Sequence, residues 1–573
     1  MIAPPGPEFS IREIPFSYRG SWFDISPVVG EHAYADHLHL VSHQNGIHPV
    51  LRLVPISGDG PVGSTATATP SRLTWCQESG RIDLAYESAD TVRISGRGLG
   101  LAIIAADPVL TPFSGPYLFQ DPVDGAYVFT LYETGRRYRV TVLSDLDVGV
   151  DVAGVGALAT AERGVVLPAG DRAWEVAIEE IDCARTPYRP LSTFEQVVEA
   201  ARTEFTTFVD AVAPWRDRDT PAAELAAYVL WSATVRPAGY LTRPAVLMSK
   251  HWMDKVWSWD HCFNALALTG VPDLAWDQFR LVFDHQDAAG ALPDSVTHSE
   301  VLYNFVKPPI HGWTLRRLRR QLGTPDPTEL TEIYQRLADW TRFWLTFRRA
   351  PGHDLAHYHH GNDSGWDNAT TFDPERVVES ADLAAFLVLQ LRELAELARL
   401  LDCTDQAAGW TAEADRMRAA LLDQLWTGHG FRTRGALSGS TWTSTSLLDL
   451  MPVVLGAELP AEISARLAER LRAHLTPYGL ATELPSSVHY RPDGYWRGPV
   501  WAPSTVLIED GLRRAGHTDL ADEISHRFRA LCESSGFAEN FDALTGAGQR
   551  DRAYTWTASS YLILAAAHRQ RQR

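Results

Sequence analysis

The sequence predicts a multidomain chain with α and β parts: an N-terminal antiparallel β-sandwich in residues 1–190, followed by an (α/α)6 barrel in residues 191–573. Three observations support this fold class. The first part repeats short segments with the two-residue period of strands, and the second part shows the 3.6-residue period of helices. The total length of 573 residues is too great for one ordinary domain and is sufficient for two.

The N-terminal part is predicted to consist of strands. Short runs alternate apolar and polar residues or are rich in β-branched residues, as in RIDLAYES at 81–88 and AYVFTLYE at 126–133. Gly, Pro, Asp and Ser separate these runs, as expected for turns. Because no helix-length amphipathic segment interrupts them, we expect antiparallel sheets packed as a sandwich. The Pro- and Arg-rich stretch 184–191 is predicted to be a linker.

The second part is predicted to consist of helices. In residues 379–401, apolar Leu383, Leu387, Leu391 and Leu394 recur on one helical face. Other segments have the same spacing, namely 194–212, 222–233, 274–283, 329–347, 411–425, 461–475, 519–531 and 554–568.

Short connectors between these segments indicate paired helices. The connectors 270–273, 323–326, 402–405 and 516–519 begin with Gly or Asp and end with Asp, which predicts a helix end followed by a polar cap. A closed ring of helix pairs, the (α/α)6 barrel, is the preferred arrangement, and an open solenoid is the alternative.

Composition restricts the class of protein. Hydrophobic residues make up 45% and charged residues 21%, which is typical of a folded chain and excludes extensive disorder. The net charge of −19 argues against nucleic acid or an anionic membrane as a partner. No run approaches the ~18 apolar residues of a membrane span, and the N-terminus lacks the pattern of a signal peptide. Five scattered cysteines without CxxC spacing favour a reducing cytoplasm and predict neither a disulfide framework nor a zinc cluster.

Four long segments between the predicted helices combine aromatic side chains with carboxylates. They are KVWSWDHCFN at 255–264, HGNDSGWDNATTF at 360–372, GYWRGPVWAP at 494–503 and GFAENFDALTG at 536–546. Flat aromatic faces bind the C–H side of a sugar ring, and carboxylates accept hydroxyl hydrogens or exchange protons. In the alternative interpretation, the tryptophans fill the barrel interior and the acids cap helices. The joint occurrence of four such segments favours a sugar site.

These segments resemble those of (α/α)6 glycoside hydrolases of family 63 and trehalases of family 37, a group that includes bacterial mannosylglycerate and glucosylglycerate hydrolases. VWSWDHCFN is similar to their tryptophan–aspartate helix start, and NDSGWDN resembles the ESGWD segment with the catalytic acid. YWRGPVWAP resembles the QWD-x-P-x-GWAP segment, and FAENFDALTG occupies the place of the segment with the catalytic base. Residues 285–294 and 307–313 also match, so the resemblance spans 248–561 in the same order.

The resemblance implies a role for individual residues. Asp367, directly after the tryptophan, takes the place of the general acid, with Asp363 as its competitor. Glu539 takes the place of the general base, with Asp542 beside it. The remaining matches imply sugar-binding residues: Trp257, Trp259, Asp260, Gln286, Asp363, Trp366, Trp496 and Trp501.

The implied activity is that of an inverting, exo-acting α-glycosidase that hydrolyses a small α-linked glycoside or oligosaccharide, preferably an α-glucoside. NDSGWDN and WRGPVW depart from the family patterns and argue against a true trehalase. A phosphorylase on the same barrel and a non-catalytic carbohydrate-binding protein are the alternatives. We expect no cofactor and no metal, because the histidine cluster 353–360 lacks cysteines.

Lysine is almost absent from this chain. Only Lys250, Lys255 and Lys307 occur among 52 basic residues, and they lie close together in sequence. Arginine presents a planar fork where lysine presents a compact ammonium group. We therefore predict that these three positions need lysine, with chance as the alternative.

Overall fold

The computed structural model describes residues 6–58, 60–63, 65–144, 149–158 and 161–572. The chain forms two compact units. The first contains the described residues of Met1–Pro214 together with Ala227–Asp254 and Thr297–Ser299. The second contains Trp215–Ala226, Lys255–Val296 and the described residues of Glu300–Arg573. The domain boundary at residue 190 stays a prediction.

The first unit is built from two antiparallel sheets. Its strands are β1 (Phe23–Gly30), β2 (Ala33–Ser42), β3 (His48–Ser57), β4 (Gly60–Pro61), β5 (Thr65–Thr69), β6 (Arg72–Gln77), β7 (Gly80–Ser88), β8 (Thr91–Arg97), β9 (Gly100–Ala105), β10 (Pro116–Gln120), β11 (Tyr127–Leu131), β12 (Arg137–Val142), β13 (Asp151–Ala153), β14 (Gly164–Leu167) and β15 (Trp174–Ile181). One sheet has the order β1-β2-β3-β9-β14-β13, with β4 paired to β3. The other has the order β10-β11-β12-β15-β8-β7-β6-β5.

Alternating apolar residues fix the register of these sheets. Val176 on β15 pairs with Ile94 on β8, and Ile178 pairs with Val92. All four side chains are buried, as expected for strands with one face in a core. The predicted N-terminal antiparallel β-structure is confirmed.

The helices begin at Phe194. They are α1 (Phe194–Val212), α2 (Ala223–Ala233), α3 (His261–Ala267), α4 (Pro272–Arg280), α5 (His311–Leu322), α6 (Pro327–Phe347), α7 (Gly361–Ser364), α8 (Ala381–Leu400), α9 (Thr404–Ala420), α10 (Ala461–His474), α11 (Ala502–Arg514), α12 (Thr518–Ser535) and α13 (Thr555–Gln572). A 3₁₀ segment spans Leu447–Glu458, and a π-helical turn spans Leu421–Leu425.

Short strands connect several of the helices. They are β16 (Thr234–Val235), β17 (Ala245–Val246), β18 (Val256–Trp257), β19 (Ser295–Val296), β20 (Val301–Leu302), β21 (Val378–Glu379), β22 (Thr433–Gly435), β23 (Thr441–Trp442), β24 (Leu475–Thr476), β25 (Gly479–Leu480), β26 (Asn540–Phe541) and β27 (Gly548–Gln549).

Six elements of the second unit form a closed inner ring. In ring order they are α3, α5, α8, the 3₁₀ segment, α11 and α13, and α13 packs back on α3. Helices α4, α6, α9, α10 and α12 pack on members of this ring. In α8, every residue from Ala381 to Leu391 is buried whichever way it points, as expected for a helix surrounded by protein. The predicted (α/α)6 arrangement is therefore confirmed, and the solenoid alternative is wrong.

The connectors confirm the helix ends but not all of the caps. Asp326 caps α6 as predicted, because its carboxylate accepts the N–H groups of Thr328 and Glu329 at 2.8 and 3.1 Å. The N-cap positions of α4, α9 and α12 are Val271, Cys403 and His517, none of which caps through its side chain. The predicted acids lie two residues later, in the first turn, where they face the positive end of the helix dipole.

Helix α1 packs against β7 and β8 in the first unit. Phe194 and Val197 of α1 cluster with Ala85 of β7. Within the described residues, no helix combines the length and the apolar character needed to cross a membrane.

Candidate active site

The predicted segments lie where the inner elements begin. Asp260 directly precedes α3 and Trp501 directly precedes α11. Lys307 lies just before α5, and Glu539 lies in the connection between α12 and α13. The folding of the ring therefore brings together residues that are far apart in sequence.

Hydrogen bonds that involve the backbone join three of the four segments directly. Val500 and Phe541 exchange N–H···O bonds of 2.7 and 3.1 Å, which places the Trp501 segment beside the Glu539 segment. The Asn368 amide donates to the Gly494 carbonyl at 3.0 Å and accepts from the Trp496 N–H at 3.0 Å. The segment 494–503 is thus held between the other two.

A continuous row of aromatic rings supports the site. Trp366 lies 4.6 Å from Trp496, and Trp496 stacks on Trp501 at 4.1 Å with an interplanar angle of 7°. Trp556, at the start of α13, continues the row to Trp501 and to Trp259. Trp366, Trp496 and Trp501 are only 1–2% exposed. Their ring faces are occupied by neighbouring rings, and sugar contact by these three side chains stays a prediction.

Lys307 lies at the centre of a group of carboxylates. Its ammonium group forms an ion pair with Asp294 at 3.1 Å and donates to the Asn362 carbonyl at 2.9 Å. Burial by itself lowers the pKa of Lys307, but the carboxylates of Asp367, Asp294 and Asp260 outweigh it and raise that pKa. A compact cation with three donors suits this position.

Asp260 carries a buried carboxylate with spare hydrogen-bonding capacity. The residue is 3% exposed, and its Oδ2 has no hydrogen-bond partner among the described residues. Burial raises the pKa of Asp260 to about 8, although Lys307 opposes the rise. A buried acceptor without a partner is costly unless a ligand uses it. Trp257, half-buried on β18, and Trp259 precede this carboxylate in sequence.

Asp367 is partly exposed and electrostatically coupled to the same group. Burial raises the pKa of Asp367, Lys307 lowers it, and Asp294 raises it again. The turn that carries Asp367 needs glycine at two places. A Cβ on Gly361 would lie 2.3 Å from the Asp367 carbonyl, and a Cβ on Gly365 would lie 2.3 Å from Cζ2 of Trp259. These glycines therefore permit close packing within the protein.

Glu539 is 2% exposed, and neither of its carboxylate oxygens has a hydrogen-bond partner among the described residues. Burial raises the pKa of Glu539 to about 8; Asp551 adds to the rise, and Arg550 and Tyr495 oppose it. Its neighbour Asp542 differs, because the Asp542 carboxylate accepts the Leu544 N–H at 2.8 Å and closes a turn.

Asp363 is fully buried and its carboxylate is already engaged. It accepts hydrogen bonds from Arg348 at 2.6 Å and from the backbone N–H groups of His359 and Val306 at 2.8 and 3.1 Å. These contacts fix the loop that leads to Asp367. The arrangement explains why Asp363 has no oxygen to spare, so its predicted sugar contact remains only a prediction.

The side chain of Gln286 also forms hydrogen bonds within the protein. Its side-chain amide donates to the carbonyls of Gly290 and Arg336, both at 2.9 Å. The residue is half-buried, and its predicted contact with substrate stays a prediction.

Three residues of the site were not predicted from the sequence. Asp294 pairs with Lys307, Tyr495 faces Glu539, and Trp556 links two tryptophans. Asp294 has no aromatic neighbour in sequence to mark it. Tyr495 adopts a φ of 62°, a strained conformation for a non-glycine residue that is typical of functional sites. The backbone strain is invisible in the sequence.

The histidines near the site interact with other groups of the protein. His353 contacts Glu379, His357 stacks on His359 at 5.2 Å, and His360 accepts the Asn362 N–H at 3.1 Å. Among the residues that the structure describes, no group of three or more His, Cys, Asp or Glu side chains is arranged to hold a metal ion.

Comparisons with known proteins show the family of this chain. The profile of the mannosylglycerate hydrolase MGH1-like glycoside hydrolase domain matches residues 253–557, more than half of the chain. A mannosylglycerate hydrolase of Rubrobacter radiotolerans is 26% identical over 415 residues, which cover 56% of this chain and 92% of the relative. A similar enzyme of Thermus thermophilus is 25% identical over 393 residues, covering 54% and 93%.

A solved structure extends the likeness to both parts of the chain. A bacterial glucoamylase complexed with acarbose has a TM-score of 0.63 at 12% identity and covers 99% of this chain and 96% of its own. That likeness shows the fold, and the matched profile shows the family. The chain therefore belongs to the MGH1-like family of glycoside hydrolase domains and is a glycoside hydrolase.

Proposed function

We propose that this protein is an inverting, exo-acting α-glycosidase that releases one hexose, preferably glucose, from a small α-linked glycoside. The observation that carries the proposal is the pair Asp367 and Glu539, two carboxylic acids on separate segments that lie within electrostatic reach of each other. Single displacement needs one such group to donate a proton and another to accept one.

Asp367 is the proposed general acid. In the proposed reaction, it protonates the glycosidic oxygen as the bond to the anomeric carbon breaks. Burial is the main cause of its raised pKa, and a raised pKa keeps a proton available near neutral pH. Asn368, the next residue, is anchored at both ends of its amide, which limits movement of the loop.

Glu539 is the proposed general base. It takes a proton from a water molecule, and the oxygen of that water forms the new bond to the anomeric carbon. Neither of its oxygens has a close hydrogen-bond partner among the described residues, and Tyr495 is a polar side chain that interacts with it. Asp542 is the weaker candidate, because its carboxylate closes a turn.

Asp260 and Asp294 are the proposed hydroxyl-binding residues, and Lys307 holds them in place. One oxygen of Asp260 has no partner among the described residues. Trp257 and Trp259 supply the apolar wall for the sugar ring. Substrate size follows from the relatives, which are named for the hydrolysis of mannosylglycerate. The proposed compartment is the cytoplasm, since all five cysteines are free.

The test is hydrolysis of a panel of α-glucosides and α-mannosides by the wild-type enzyme, Asp367→Asn, Glu539→Gln and the matched control Asp542→Asn. We expect the first two variants to lose at least ~10³-fold in kcat and the control to retain activity, because proton transfer supplies ~10²–10⁴-fold. Proton NMR of the initial product should show the β-anomer. An α-anomer, or greater damage from Asp542→Asn, would contradict the proposed mechanism.

A further inference from the structure

A polar cavity lies in the helical unit, at the far end of the inner ring. Its volume is about 490 Å³, within the range of small-molecule sites. It is lined by side chains of α5, of α8 and of the end of the 3₁₀ segment. A rise of 1.5 Å per residue places Arg320 ~14 Å along α5 from His311, where the candidate active site begins. The cavity is therefore separate from that site.

The lining of this cavity carries an excess of positive charge. Four of its residues are arginines: Arg316, Arg319, Arg320 and Arg392. Two of the four are neutralised by buried or half-buried acids, since Arg319 pairs with Glu393 and Arg392 pairs with Glu458 at 3.0 Å.

The other two arginines of the lining are Arg316 and Arg320. Neither forms an ion pair or a hydrogen bond with any residue that the structure describes, and both line the cavity and a smaller one beside it. They lie one helical turn apart on α5, and like charges at this spacing destabilise a helix. Burial and the neighbouring charges of Arg316 and Arg514 lower the pKa of Arg320, although Asp510 opposes them.

Helix-dipole stabilisation does not account for both arginines. Arg320 lies in the last turn of α5, where a cation is favourable, but Arg316 lies before that turn. Both side chains are exposed, and in a chain with a net charge of −19, two adjacent arginines without an ion pair among the described residues give this surface a local positive charge that favours an anion. Paired guanidinium groups suit the oxygen atoms of phosphate, and the volume exceeds that of a phosphate ion alone.

We propose that this cavity binds a phosphate-bearing small molecule, a phosphate ester of a sugar or polyol, with Arg316 and Arg320 holding the phosphate. Thr324 and the rim acids Glu396 and Glu458 provide partners for the hydroxyl groups of the ester. The site is independent of the hydrolytic centre and of its proposed substrate.

The test is isothermal titration of the full chain with glucose 6-phosphate, inorganic phosphate and glucose. We expect the ester to bind more tightly than phosphate. The double variant Arg316→Gln/Arg320→Gln should bind both at least about tenfold more weakly, because it removes charged hydrogen bonds. Arg466→Gln, an exposed arginine on α10 without a described partner, is the matched control and should bind as the wild type does.

Three outcomes would overturn the proposal. They are no saturable binding at millimolar ligand, equal binding by the double variant and the wild type, and equal affinity for phosphate and the ester. Glycoside hydrolysis should be unchanged in the double variant, which separates this site from the hydrolytic centre. A thermal melt of each variant without ligand checks folding, and Arg316→Lys/Arg320→Lys, which keeps the charge, should bind with intermediate affinity.

Discussion

Replacing Glu539 with glutamine should stabilise the folded protein while it removes activity. The side chain is 2% exposed, and its pKa rises from 4.5 to about 8 on folding. Between these two pH values, the folded protein keeps a proton that the unfolded chain has lost. The free energy of unfolding therefore falls as the pH rises through this window.

The size of this effect follows from the same shift. A pKa that moves from 4.5 to about 8 corresponds to at most about 5 kcal/mol once both states are ionised. Glutamine has nearly the same shape and does not ionise. The gain of the Glu539→Gln variant should thus be smallest near pH 4.5 and largest above pH 8, where it amounts to a few kcal/mol.

The assay is calorimetric unfolding of wild type and variant across about pH 5 to pH 9. We expect the difference in Tm to grow with pH. Glu469→Gln is the matched control, because Glu469 is exposed on α10 and the chemical change is the same. Parallel Tm curves for wild type and Glu539→Gln would refute the reasoning, since they would show that burial imposes no penalty on the ionised carboxylate.

Two further predictions concern the packing of the site. Lys307→Arg should lower kcat/KM at least about tenfold, because the planar guanidinium does not fit the buried position of the ammonium group; activity within about twofold of the wild type in a steady-state assay would contradict this. Gly365→Ala should destabilise the protein by about 2–4 kcal/mol in a urea titration, since a Cβ there adds a clash with Trp259 to an unfavourable φ of +72°. Gly439→Ala has the same φ without a neighbour within 4 Å and should lose only about 1–2 kcal/mol; a loss as large as that of Gly365→Ala would remove the clash from the explanation.

The spacing of hydrophobic residues along the chain was sufficient to predict the fold. The strand runs and the helix 194–212 match the observed elements because side-chain period follows from backbone geometry alone. The period of 379–401 predicted one apolar face, whereas α8 is buried on every face over its first half. Small alanines on the other faces hide that burial from a search for large apolar residues.

Helix caps and the roles of individual charged side chains were harder to predict, because they depend on tertiary contacts. Asp326 caps α6, but Val271 occupies the same position in α4 because the chain enters through Pro272. Asp363 resembles a site acid in sequence. Its partner Arg348 comes from the end of the preceding long helix, and no local pattern links the two.

The predicted segments lie together in the structure, but the exposure of their aromatic side chains could not be predicted. Trp366 and Trp496 looked like sugar platforms in sequence, and the structure packs their faces against each other. Aromatic composition marks a site and its supporting wall equally well, because both need large flat side chains. Only the fold decides which ring faces a ligand.

The charge balance of the site explains why it can hold a transferable proton. Asp260, Asp294 and Asp367 surround the single ammonium group of Lys307, and Glu539 lies within electrostatic reach of Asp367. Burial outweighs the opposing charges of Lys307 at Asp260 and Asp367 and of Arg550 at Glu539, so these three carboxyls retain protons at a pH where isolated carboxyls have lost theirs. Such protons belong to the coupled set and not to one residue. The mechanism proposed above would draw on this set, because it requires a proton on Asp367 and an ionised Glu539 when the glycosidic bond breaks.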